Sequence, residues 1–185
     1  MLAAAVLAVA LAGLAYGADI GAESDIFPRF PCIQPNVEFW TKIYTQYSSD
    51  YGVLHDSRRL DIIYDVIELA DPDQPGGRKI NRKRIKKAKN EIKSTLAKLM
   101  RGATPAGPDE QRVAALFGPD AKAADFRSAM HSIRCQTGQK DRFQEGLIRS
   151  GAYIEQIKQI FREAGLPEDL AYLPHVESTP CGVFL

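Results

Sequence analysis

Cysteine, histidine and tryptophan are scarce: 185 residues carry three, three and one. Cys32, Cys135 and Cys181 show no paired or metal-like spacing, which excludes a disulfide-knit scaffold and a zinc ribbon. An exported chain could oxidise one pair of them, and spacing does not choose which; the alternative is three small thiols without a role. His55, His131 and His175 lie far apart in sequence, and each reads as a surface or capping residue. No HExxH, CxxC, Gly-rich phosphate loop or nucleophile elbow is present. No metal site and no cofactor are therefore expected. Charge of one sign is lacking too: the formal net charge is +1, which gives no global reason to expect nucleic acid. With 45% hydrophobic and 25% charged residues the composition is globular, and it excludes a collagen, a disordered tail and a multi-span membrane protein. No strand-period run of useful length appears, so the expected fold class is all-α.

What is present begins with an apolar amino terminus. Residues 1–18 carry no charged side chain, and Ala15-Tyr16-Gly17 has the small-x-small form that signal peptidase accepts. The reading is a signal peptide over 1–17; an uncleaved anchor and an ordinary buried segment are the alternatives. Pro28, Pro31 and Pro35 make 18–35 an extended lead-in. Asn36 then caps a short helix bearing Phe39, Trp40, Ile43, Tyr44 and Tyr47, and Leu60, Ile63, Tyr64 and Ile67 give a second helical stripe. After the breaker Asp71-Pro72-Asp73-Gln74-Pro75-Gly76-Gly77 comes a third helix with Ile85, Ala88, Ile92, Leu96 and Leu99 on one face. Residues 36–101 thus form a helical amino-terminal region, and 102–108 a linker. The approach region 109–165 is helical, with one stripe at Phe126, Ala129, Met130 and Ile133 and another from Tyr153 to Ala164. Gly165 closes that last helix, and Pro167 opens the next.

The third helix concentrates the charge. Residues 78–101 hold eleven of the 24 Lys+Arg residues and one acid, Glu91, so the segment is +10 and the remainder −9. Arg82, Lys83, Lys86, Lys87, Lys89 and Lys93 are its candidate anionic-surface binders. Such a helix is either a solvated face balanced by acidic neighbours or a docking face for anionic lipid, wall polymer or nucleic acid. Basic-aromatic interleaving and reader motifs are lacking, and nucleic acid is not the expected partner.

Near the carboxyl end, Leu170, Leu173 and Val176 are expected on the buried side of a last helix, with Glu177 beside them. A carboxyl half-buried there loses hydration and holds its proton near neutral pH, as a general acid must. On residues alone, a solvated Glu is the simpler reading.

The runs Arg134-Cys135-Gln136-Thr137-Gly138-Gln139-Lys140-Asp141-Arg142-Phe143-Gln144-Glu145-Gly146-Leu147, Arg149-Ser150-Gly151-Ala152-Tyr153, Ile160-Phe161-Arg162-Glu163-Ala164-Gly165-Leu166-Pro167 and Leu173-Pro174-His175-Val176-Glu177-Ser178 resemble the membrane-bound lytic murein transglycosylase D family. Pro35-Asn36-Val37-Glu38-Phe39-Trp40 and Val53-Leu54-His55-Asp56 resemble its amino-terminal region, so the likeness covers most of 27–178. It implies helices leading into a lysozyme-like domain that starts at 166 and is incomplete, because Thr179-Pro180-Cys181-Gly182-Val183-Phe184-Leu185 departs from the family pattern directly after Glu-Ser. It implies non-hydrolytic cleavage between N-acetylmuramic acid and N-acetylglucosamine, leaving 1,6-anhydromuramyl ends. Glu177 matches the single acid/base, and Ser178 is a candidate substrate contact. The implied partners are peptidoglycan glycan strands, with anionic membrane or wall polymer as further ones. The implied location is the bacterial periplasm or envelope, with or without membrane association. Activity is expected to be impaired in a chain of this extent, and the alternative is a non-catalytic envelope-binding module using 78–101.

Overall fold

The computed structural model describes residues 26–177; the signal-peptide reading, Ser178 and Cys181 lie outside them. The chain is mostly helical but not all-α, since three strands form an antiparallel sheet in the order β2-β1-β3. The elements run α1 (Gln34–Thr45), β1 (Tyr51–Asp56), β2 (Ile63–Glu68), α2 (Gly77–Met100), α3 (Pro108–Ala115), α4 (Ala123–Ser132), β3 (Ile133–Thr137), α5 (Lys140–Ser150), α6 (Ile154–Glu163) and α7 (Leu173–Glu177).

The stripe expected as a second helix is β2. Its misleading spacing has a physical cause: Leu54 pairs with Asp65 but His55 with Ile63, so Tyr64 is an extra residue in a bulge. The bulge breaks the two-residue alternation. Ile63 and Val66 consequently face the α1 side, while Tyr64 and Ile67 face the α2 side. The stripe through Phe126 also overruns its helix, because Ile133 opens β3.

Central β1 has both faces covered. Val53 packs with Phe39 and Ile43 of α1, and His55 lies against the Phe39 ring, centroids 4.5 Å apart. On the other face Leu54 joins Ile62, Tyr64, Ala88, Ile92, Leu96, Phe126 and Ile133 in the larger core beneath α2 and α4. Since β3 comes from beyond 102–108 and pairs with β1, that segment joins elements of one core and does not separate two units.

Three local expectations also change. Pro31–Ile33 is a 3-10 turn within the lead-in, α1 starts at Gln34 so that Asn36 lies inside it, and Pro167 precedes a 3-10 turn, Glu168–Tyr172. The closing role of Gly165 stands. It adopts φ 69°, and the Leu166 N–H donates to the Phe161 carbonyl at 2.9 Å while its own N–H donates to Arg162 at 3.0 Å.

The carboxyl-terminal helices are anchored where α5 meets α1. Gln139 N–H donates to the Ile43 carbonyl and Lys140 N–H to the Tyr47 carbonyl, both at 2.9 Å. Asp141 accepts from the backbone N–H of Ser49 at 2.8 Å and from its hydroxyl. Gly138 makes the approach possible: a Cβ there would stand 2.3 Å from the carbonyl oxygens of Tyr47 and Ser48.

Candidate functional site

The basic helix α2 is bound to the core by one stripe, Ala88, Ile92, Leu96 and Leu99. Asn81 locks its first turns by accepting from the Ala70 N–H at 2.7 Å and donating to the Ala70 carbonyl at 2.8 Å. With that face spent, the apolar stripe cannot enter a bilayer, and what the helix offers outward is charge. Arg82, Lys83, Lys86, Lys87 and Lys93 are exposed, and Lys89 is half-buried. Lys87 pairs with Glu91 at 3.8 Å; among the described residues Arg82, Lys83, Lys86, Lys89 and Lys93 form no ion pair. Arg78, Arg82, Lys86, Lys89 and Lys93, spaced by three or four residues, line a groove of about 360 Å³ with Ile85. Burial lowers the pKa of Lys89, and the positive charges of Arg134 and Lys93 act in the same direction.

The carboxyl-terminal helices make a second locus. Glu177 ends α7; Leu173 and Val176, expected on the buried side, are exposed, and Leu170 is half-buried. α7 spans only five residues, Leu173–Glu177. Ile148, Ile160 and Leu166 are exposed on the same group of helices.

His175, two residues earlier, is not a simple surface residue. Its Nε2 lies 2.7 Å from the hydroxyl of buried Ser150, and its Nδ1 lies 3.2 Å from the Tyr172 carbonyl. The Ser150 hydroxyl is also 3.0 Å from the Leu147 carbonyl. Beside this pair is a cavity of about 450 Å³, walled by Arg142, Glu145, Arg149, Tyr153, Ile157 and Pro174 among others. Arg162 fixes the turn leading into α7 by a two-pronged pair with Glu168, at 2.7 and 3.0 Å, which holds that carboxyl below its ordinary range.

The other histidines separate. His131 is exposed, whereas His55 is buried and its pKa is lowered by that burial. Cys32 is exposed and Cys135 half-buried, both as free thiols, with Cys135 pushed up to about 11 by burial. A thiol so raised is a packing group rather than a nucleophile. No group of side chains able to hold a metal occurs among the described residues, and no helix among them is long and apolar enough to cross a membrane. The sequence offered His175 only as a surface or capping residue and gave no signal for Ser150 or Arg142, because Ser150 and His175 are 25 residues apart and no motif spacing joins them.

No family model, no curated protein and no solved structure matches the chain.

Proposed function

We propose that this chain is a peptidoglycan-directed protein of the lytic transglycosylase type, with Glu177 as its single acid/base. The supporting observation is the likeness over Arg134 to Ser178, whose described part runs from β3 through α5 and α6 to α7, which ends at Glu177. In that chemistry the carboxyl first protonates the glycosidic oxygen. It then takes the proton of the muramyl 6-hydroxyl as that oxygen closes on C1. One carboxylate suffices, because the substrate supplies its own nucleophile in place of water.

Incubated with purified sacculi, the chain should release 1,6-anhydromuramyl ends, detected by mass. Glu177→Gln should abolish this while leaving sacculus binding intact. Reducing ends in place of anhydro ends, or full turnover in the variant, would overturn the catalytic assignment.

A second reading is favoured by the cations of α2 that form no ion pair. In it the chain binds an anionic envelope polymer or lipid surface through Arg82, Lys83, Lys86, Lys87, Lys89 and Lys93 without catalysis. Sacculus binding with no anhydro ends at any enzyme concentration would select it.

A further inference from the structure

The cavity between α5, the start of α6 and α7 has a composition that the proposed acid/base chemistry does not use. Its charged lining is Arg142, Glu145 and Arg149, and its polar base is the Ser150–His175 pair. Arg149 is engaged by Glu145 at 3.6 Å, whereas half-buried Arg142 forms no ion pair among the described residues. One guanidinium is thus left over among the described residues, lining a cavity whose base is formed by the Ser150 hydroxyl and the His175 ring. Tyr153, Ile157, Ala171 and Pro174 supply an apolar wall. A site with one uncompensated fork of donors, a hydroxyl and an apolar wall suits a small anion that carries a short hydrocarbon body.

We propose that this cavity binds a small organic carboxylate, of the kind that ends an alanine-bearing peptide. The carboxylate pairs with the Arg142 guanidinium and reaches the Ser150–His175 pair, and the methyl packs on Ile157 and Pro174. That the carboxylate belongs to a wall peptide rests on the proposed function; the pocket chemistry does not.

The probe is N-acetyl-D-alanine, with N-acetyl-D-alaninamide as the uncharged twin and inorganic phosphate as the free oxyanion. Titration of the full chain, followed by the amide signals of Gly146 and Ser150 and the ring signals of His175, should saturate near about 1 mM. The amide should bind about tenfold or more weakly, as should the carboxylate to Arg142→Gln, whose melting temperature should match the parent. Equal binding of acid and amide, unsaturated shifts, or undiminished affinity in the variant would overturn the proposal. Phosphate binding as tightly as the acid would overturn the organic class. Because no turnover is read, these outcomes are independent of the Glu177→Gln product assay.

Discussion

Single side chains here are governed by what burial does to their charge. Asp141 is pulled in two directions: partial burial raises its pKa, but hydrogen bonds from the Ser49 hydroxyl and N–H outweigh this and leave it below the ordinary 3.8. A carboxyl depressed in the folded state stabilises above its unfolded pKa, and that stabilisation disappears as pH falls through the folded value. His55 acts at higher pH. Buried and lowered from 6.5, it stays neutral while the unfolded ring takes a proton, so stability begins to decline as pH drops below 6.5. Urea midpoints should therefore fall in two stages on acidification. Asp141→Asn should cost about 1–2 kcal/mol at pH 7 and lose its penalty as pH falls through the carboxyl's folded value, while keeping the stage that begins at 6.5. A parallel offset at all pH values would refute the role given to the Ser49 contacts.

At the scale of elements, α2 is the clearest case of one helix with two separable jobs. Its apolar stripe faces the core and its cations face outward, so charge can be removed without touching packing. Replacing Arg82, Lys86, Lys89 and Lys93 together by Gln keeps helix propensity close to the parent. The melting temperature should hold or rise slightly as like-charge repulsion is relieved, while retention on sacculi or anionic vesicles should become about tenfold or more weaker at low salt. The parent's retention should itself fade with added salt. Salt-independent retention of the quadruple variant would show that another face binds. This helix was legible in advance to within a residue at each end, because 24 residues repeat one periodicity, although Ile85, expected on the apolar face, lies half-buried beside the cations instead of in the core. β2 was not: six residues with a bulge imitate helical spacing, and only the pairing with β1 reveals which side each residue faces.

For the whole molecule, β1 links two cores, one under α1 and one under α2. Substitutions on its opposite faces should be felt by both. Leu54→Ala should cost about 2–5 kcal/mol, and unfolding followed by Trp40 fluorescence on α1 should coincide with that followed by circular dichroism. Separate midpoints would mean that the α1 side unfolds on its own. The α5–α7 region is built differently, with Ser150 and Ala171 its only buried residues among those described and no buried residue in α6. Few buried apolar contacts place these helices at the low-stability end of the fold.

The sequence by itself determined the helices that carry long, uninterrupted periodicity, the αL closure at Gly165, the breaker before α2 and the charge segregation of that helix. Each follows from nearest neighbours along the chain. Only tertiary structure decided that three short runs pair as a sheet, that His55 is buried, and that Ser150, Arg142 and His175 meet at one cavity. Those facts depend on segments distant in sequence being brought together. Burial and hydrogen-bond partnership are properties of the contact, not of either segment.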